Sequence, residues 1–234
     1  MVKLGNFLFH YRNGLFPLFY LFLFIPSPWI FENYWIPIIV GFVIALIGQI
    51  VRIGTIGLKY IIRGGSNRRV YAEDLVTEGI FAHCRNPLYV GNVLILIGLG
   101  VMSNSWIYNL ILTPLFIFFY QAIIKAEENF LENKFGEAYD QYKKDVNRWM
   151  PSFSGLVETF KSMNFSWPRV IIREYNATFI WLCGAVLIGL KTFYYQERGE
   201  LSTVLPWGTG VIIALLLLYL IARYLKKSKR LTAS

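Results

Sequence analysis

Six apolar stretches, at 15–30, 35–58, 88–102, 106–124, 177–194 and 207–225, occupy nearly half of the 234-residue chain. Several approach the roughly 20 residues that carry a helix across a hydrocarbon layer of about 30 Å. Each peptide group inside a bilayer must be hydrogen-bonded internally, and continuous helices do this without partner strands. The chain is therefore expected to be all-α, a polytopic membrane helix bundle with about six transmembrane helices. Composition agrees: 56% of residues are hydrophobic and 18% aromatic, above the usual soluble range. One membrane domain over 1–234 is expected, with a first hairpin and its link at 1–74, a motif-bearing region at 75–151, and an interfacial segment and last hairpin at 152–234.

The stretches fall into three hairpins. Their internal links, 31–34, 103–105 and 195–206, contain a single basic residue, Arg198. Apart from Arg198 and Lys191, all 23 Lys and Arg residues lie at the opposite ends. The positive-inside rule puts those ends and both termini in the cytoplasm. The net charge of +9 thus reports topology and not a nucleic-acid surface. Trp35, Trp106 and Trp207 each open a returning span, as interfacial anchors do. Lys3 and Arg12 before the first apolar run resemble a signal peptide, but Pro26, Ser27 and Pro28 make a poor cleavage site and a second span follows at once. The run is read as a membrane segment.

Gly41 and Gly48 on the second span, and Gly91 and Gly98 on the third, sit at helical spacing and predict close helix packing. The third stretch has only 15 residues, about 22 Å at 1.5 Å per residue. Beyond the fourth, Ile124, Glu128, Leu131, Phe135, Tyr139, Tyr142 and Val146 recur three or four apart. That period predicts a helix running on, amphipathic, into the cytoplasm. Gly136 is a candidate break within it. Two cysteines, Cys84 and Cys183, and two isolated histidines support neither a disulfide framework nor a metal site.

Two polar clusters flank the hairpin of the third and fourth stretches, which brings them to one membrane face. The first runs Leu75-Val76-Thr77-Glu78-Gly79-Ile80-Phe81, then Arg85-Asn86-Pro87-Leu88-Tyr89-Val90-Gly91-Asn92; the second holds Glu127-Glu128, Leu131, Phe135-Gly136, Tyr139, Tyr142, Val146 and Arg148-Trp149-Met150-Pro151. In order and spacing these resemble the isoprenylcysteine carboxyl methyltransferase and phospholipid methyltransferase superfamily. That group's pattern is L-V-T-x-G-x-(Y/F), R-H-P-x-Y-x-G, a membrane hairpin, E-E-x-x-L-x-x-x-F-G-x-x-Y-x-x-Y and a closing Val, Arg and Pro. About a third of the chain is covered. Two positions depart: Asn86 replaces the usual histidine, and Asn147 stands where a proline is common. Asn86 can donate and accept hydrogen bonds but cannot titrate near neutral pH.

The resemblance implies a membrane-embedded S-adenosyl-L-methionine-dependent methyltransferase acting on a lipophilic acceptor: a prenylcysteine-type carboxylate, a phospholipid amine or a small thiol. It implies donor-binding residues at Gly79, Arg85, Asn86, Pro87, Tyr89, Gly91, Glu127, Glu128, Tyr139 and Arg148, with Glu128, Arg85 and Arg148 in the catalytic set. The chemistry of the donor fits these residue types. Arg85 or Arg148 can hold its carboxylate, Glu127 or Glu128 its ammonium or ribose hydroxyls, and the Tyr89 ring its sulfonium. Asn86 and backbone near Gly79 can read adenine. Taken singly, the arginines are equally explained by snorkelling, the acids by a solvated helix face, and Tyr139 and Tyr142 by packing. Two other classes stay open: an NADPH-dependent membrane sterol-type reductase, which shares a related C-terminal motif, and a non-catalytic membrane subunit of the same fold. The acceptor and the oligomeric state are not encoded in any readable motif.

Overall fold

The computed structural model describes residues 1–58, 70, 72, 74–197, 200–228 and 230–231. The basic residues Lys59, Arg63, Arg68, Arg69, Arg198 and Lys229, used in the topology argument, lie outside the described residues. Among those described, all extended regular structure is helical: α1 Val2–Tyr20, α2 Trp35–Leu58, α3 Pro87–Met102, α4 Thr113–Phe135, α5 Glu137–Asp145, α6 Leu156–Ser162, α7 Trp167–Glu197 and α8 Leu201–Lys227. Four segments are long and apolar enough to cross a membrane: Trp35–Leu58, Tyr108–Phe135, Trp167–Tyr195 and Ser202–Lys227. The chain is an integral membrane protein built as a polytopic helical bundle.

The remaining two expected spans differ in instructive ways. The helix expected from Leu15 begins thirteen residues earlier, at Val2, because Lys3, Asn6, His10 and Arg12 are good enough helix residues to continue the apolar turns. It stops after a 3-10 turn at Leu21–Phe24, where Pro26 and Pro28 follow and bias the chain toward extended backbone. The third stretch is the short apolar helix α3, capped by Pro87 at its first turn, where a missing N–H costs nothing. The expected interfacial stretch after Pro151 is partly regular: α6, then the first turns of α7, which starts ten residues before the apolar run.

Helix packing follows the expected hairpins only in part: the last hairpin, α7 with α8, is formed, whereas the first two stretches take other partners. The tightest pair is α2 with α3, then α7 with α8 and α1 with α4; α3 and α4 touch less extensively. The predicted glycines explain the first pair. Gly41 faces Gly98 and Gly48 faces Gly91, antiparallel; a Cβ built on Gly48 would stand 2.6 Å from the Gly91 carbonyl oxygen. Between membrane helices, which lack a hydrophobic drive toward each other, such backbone approach is what dispersion can act on.

A polar lattice crosses the same region. Arg52 on α2 donates from Nε to Glu174 Oε2 at 2.8 Å and from Nη2 to Oε1 at 2.7 Å. It also bonds Asn92 of α3. Gln49 donates to Glu174 at 3.3 Å and accepts from Trp181 Nε1 at 2.8 Å. Three helices are thereby joined through one guanidinium. At the opposite rim, Asn104 (φ 51°) accepts from the backbone of Ile30 and Phe31 and donates to the Phe31 carbonyl at 2.8 Å. Trp106 donates to the Trp29 carbonyl at 3.1 Å. Trp106 and Trp35 are exposed and Trp207 is 80% exposed, as anchors at an interface are.

Tyr108–Leu112 forms a π-helical turn that leads into α4, and α4 continues unbroken past the apolar region to Phe135. Gly136 at φ +52° then separates it from the amphipathic α5, so the expected break is real. Alanine at 136 meets no neighbour within 4 Å, and its cost is conformational alone. Gly136→Ala is expected to destabilise by about 1 kcal/mol, read as a small fall in melting temperature in detergent. The Arg52–Glu174 pair predicts more. Its side chains are 14% and 4% exposed, so Glu174→Ala, which strips Arg52 of its carboxylate, is expected to cost about 3–5 kcal/mol. The double change R52M/E174L is expected to cost less. Equal losses from the single and double changes would contradict this account.

Candidate functional site

The two polar clusters meet because residues 83–86 run beside residues 147–152. The Arg85 N–H donates to the Asn147 carbonyl at 3.0 Å, and the Ser152 N–H donates to the His83 carbonyl at 2.9 Å. Asn86 Nδ2 donates to the Arg148 carbonyl at 3.2 Å. Cys84 Sγ lies 3.6 Å from that same oxygen. The Tyr142 hydroxyl donates to the Phe81 carbonyl at 2.7 Å, fixing α5 under the first cluster. The segment entering α3 and the segment leaving α5 are thus one clasp.

Glu128 sits at its centre. It is only 2% exposed, on the last buried turns of α4. Arg148 engages it through both nitrogens, Nε to Oε1 at 2.9 Å and Nη2 to Oε2 at 2.5 Å. Arg85 Nη1 lies 3.2 Å from Oε1. The arrangement is bidentate on one side and a point contact on the other. Glu127, next in sequence but on another face of the helix, accepts from the Tyr89 hydroxyl at 2.7 Å. Both acids are buried, so neither is a solvated face residue.

The sequence-derived candidates separate into two groups. Arg85, Asn86, Pro87, Tyr89, Glu127, Glu128 and Arg148 converge. Gly91 lies in the α2–α3 seam, where a Cβ would meet the Arg52 side chain and the Gly48 carbonyl. Gly79 adopts φ +64° against Met163. Tyr139 is buried in a satellite core with Leu131, Tyr142 and Val146. In the structure these three make packing contacts. His83, one of the two histidines, is buried, with Nδ1 2.9 Å from the Ser152 carbonyl and Nε2 2.8 Å from the Thr159 hydroxyl. It ties α6 to the clasp. Burial raises the Cys84 thiol above its ordinary value, against the opposing pull of the Asn86 backbone N–H and the Arg85 charge. The thiol form is unsuited to nucleophilic attack.

A hollow of about 590 Å³ opens beside the clasp, lined by Arg85, Lys143, Asp145, Asn147, Arg148 and Trp149 among others. Its size lies in the range of small-molecule sites. Lys143 on its wall is held charged by hydrogen bonds to Asp140 and Glu132, at 2.7 and 2.5 Å. Trp149 lines the same hollow, and its Nε1 is buried with no hydrogen-bond partner among the described residues. Two guanidiniums, from Arg85 and Arg148, and the Asp145 carboxylate on the lining could hold a ligand that carries both signs of charge. Among the described residues no three His, Cys, Asp or Glu side chains gather as a metal ion would require.

The Arg52–Glu174 lattice, which reaches Asn92 one turn beyond Tyr89, was not anticipated. Its signal was present as Gln49, Arg52, Asn92 and Glu174 in or beside apolar runs, positions where polar residues are costly.

Comparison with known proteins gives this geometry a family. The phospholipid methyltransferase family matches residues 36–138. The cobalt-zinc-cadmium resistance protein CzcN of Cupriavidus metallidurans is 30% identical over 209 residues, 86% of this chain and 90% of that protein. The nickel-cobalt-cadmium resistance protein NccN of Alcaligenes xylosoxydans xylosoxydans is 31% identical over 118 residues, 50% of this chain and 53% of its own length. Protein-S-isoprenylcysteine O-methyltransferase of Schizosaccharomyces pombe is 34% identical over 77 residues, 33% of each chain. The chain therefore spans about half of NccN and a third of the yeast enzyme. No solved structure matches it. From the family match and the isoprenylcysteine O-methyltransferase relatives, the chain belongs to the isoprenylcysteine carboxyl methyltransferase and phospholipid methyltransferase superfamily.

Proposed function

We propose that the protein transfers a methyl group from S-adenosyl-L-methionine to a lipophilic acceptor that enters from the bilayer, with the site and both termini at the cytoplasmic face. The observation that carries this reading is the Arg85–Glu128–Arg148 cluster, buried beside Tyr89–Glu127 and opening on a hollow of about 590 Å³. The sulfonium of the donor supplies an already activated carbon. What remains for the chain is alignment and exclusion of water, and alignment alone contributes about 7–11 kcal/mol in well-oriented reactions.

Each residue has a part in that alignment. Arg148, whose side chain is 33% exposed, is the guanidinium able to turn outward to a carboxylate. Arg85, more deeply set, holds Glu128 in place. Both oxygens of Glu128 face guanidinium groups, so its part is to position the arginines. Glu127 remains to take an ammonium or a ribose hydroxyl, and its hydrogen bond fixes the Tyr89 ring. Asn86 gives its side-chain N–H to the Arg148 carbonyl, a structural duty that a titrating residue would not improve. A carboxylate or thiolate acceptor suits this set best, because neither requires a proton to be removed during attack.

Titration calorimetry on the detergent-solubilised protein is expected to show saturable binding of S-adenosyl-L-methionine. Arg85→Ala and Glu128→Ala are each expected to weaken it about tenfold or more, the scale of a lost charge-assisted hydrogen bond. Binding of NADPH without binding of S-adenosyl-L-methionine would overturn the reading in favour of a reductase. Incubating the protein with labelled donor and a native lipid extract is expected to label one lipophilic species and so name the acceptor. A protein that binds the donor but labels nothing would be a non-catalytic member of the fold.

A further inference from the structure

The helix α8 packs extensively on α7 alone, so it diverges from α2 and leaves a lateral cleft of about 260 Å³ between α2, α7 and α8. Ile53, Leu182, Leu215 and Leu218 give it apolar walls. Gln49 and Glu174 form its base, and both are already bonded: Glu174 by Arg52, Gln49 by Trp181 and Glu174. The base is thus polar but without net charge. The cleft's volume, about 260 Å³, is small for a helix about 10 Å across, and a single hydrocarbon chain is the slimmer filling.

The mouth has a different character. Tyr219 and Ala222 line the cleft, and the same stripe of α8 continues at helical spacing to Arg223 and Lys226. Arg223 Nη1 lies 3.5 Å from the Tyr219 hydroxyl. Lys226 Nζ lies 5.1 Å from the Tyr175 ring centroid, and the Tyr175 and Tyr219 rings are 5.2 Å apart. Both cations are exposed, and no ion pair with a carboxylate engages either of them among the described residues. Two uncompensated positive charges therefore stand over a neutral, apolar slot at the chain's basic membrane face.

We propose that this cleft binds an anionic glycerophospholipid, with an acyl chain between α2 and α8 and the phosphate between Arg223 and Lys226. A zwitterionic headgroup brings its own ammonium to the same two cations and is disfavoured. This site lies apart from the Glu128 clasp and does not depend on methyl transfer.

Native mass spectrometry of the delipidated full-length protein, titrated with dioleoyl-phosphatidylglycerol or dioleoyl-phosphatidylcholine, tests it. The expected result is retention of phosphatidylglycerol at least tenfold better than phosphatidylcholine. R223A/K226A is expected to weaken phosphatidylglycerol binding by about 30-fold, following from two basic contacts near a membrane surface. Neither side chain supports the core, so the variant is expected to keep the wild-type melting temperature. Ala222→Phe, which fills the slot and spares both cations, is expected to abolish retention of either lipid. Equal retention of the two lipids by the wild type, wild-type phosphatidylglycerol binding by either variant, or closure of the cleft in a lipid-free dimer would each overturn the proposal.

Discussion

The close contact of α2 with α3 governs much of what surrounds it. Two pairs of glycines let the helix backbones touch, and that proximity brings the Arg52 stem across Gly91. From there the guanidinium reaches both Asn92 on α3 and Glu174 on α7. A side chain at either glycine would push α3 away and break the reach of Arg52 as well as the seam. The position of Tyr89, and through it Glu127, follows from where α3 is held. Apolar packing by backbone approach therefore comes first, and the polar lattice is fitted to it.

The site has a matching logic in polar terms. Its carboxylate at 128 is buried with two arginines because residues 83–86 and 147–152 lie side by side, held by backbone hydrogen bonds and by the side chains of Asn86, Tyr142 and His83. The proposed methyl transfer would ask chiefly for fixed geometry, which a clasp closed from both ends of the hairpin is built to give. The asparagine at 86, which departs from the family's histidine, joins that clasp by donating to the Arg148 carbonyl.

Much of this was legible in the amino-acid sequence, because membrane helices and the family motif are strongly patterned. The apolar runs, the glycine spacing, the continuation of α4 past the membrane and its break at Gly136 all follow from periods of three and four. Convergence of the two clusters followed from a short link. The early start of α1 was hidden because polar residues in a helix interrupt hydropathy without interrupting hydrogen bonding. The partners of α2 and α3 were hidden because adjacency in sequence favours hairpins, which holds for α7 with α8, whereas glycine contact joined α2 to α3. The packing partners of Gly79, Gly91 and Tyr139 could not be read from a motif, which marks position and not the side on which a neighbour presses.

The long-range pair between Arg52 and Glu174 also bears on the order in which the chain assembles. The two residues are separated by 122 positions, so during synthesis α2 enters the bilayer long before α7 exists. Until then the Arg52 side chain has no carboxylate and must extend its head toward the headgroup region, along a stem long enough to do so. Arrival of α7 draws that head inward and closes the lattice. The last hairpin is thus the step that completes burial of the earlier one, and a nascent chain arrested before Glu174 carries an arginine still facing the membrane surface.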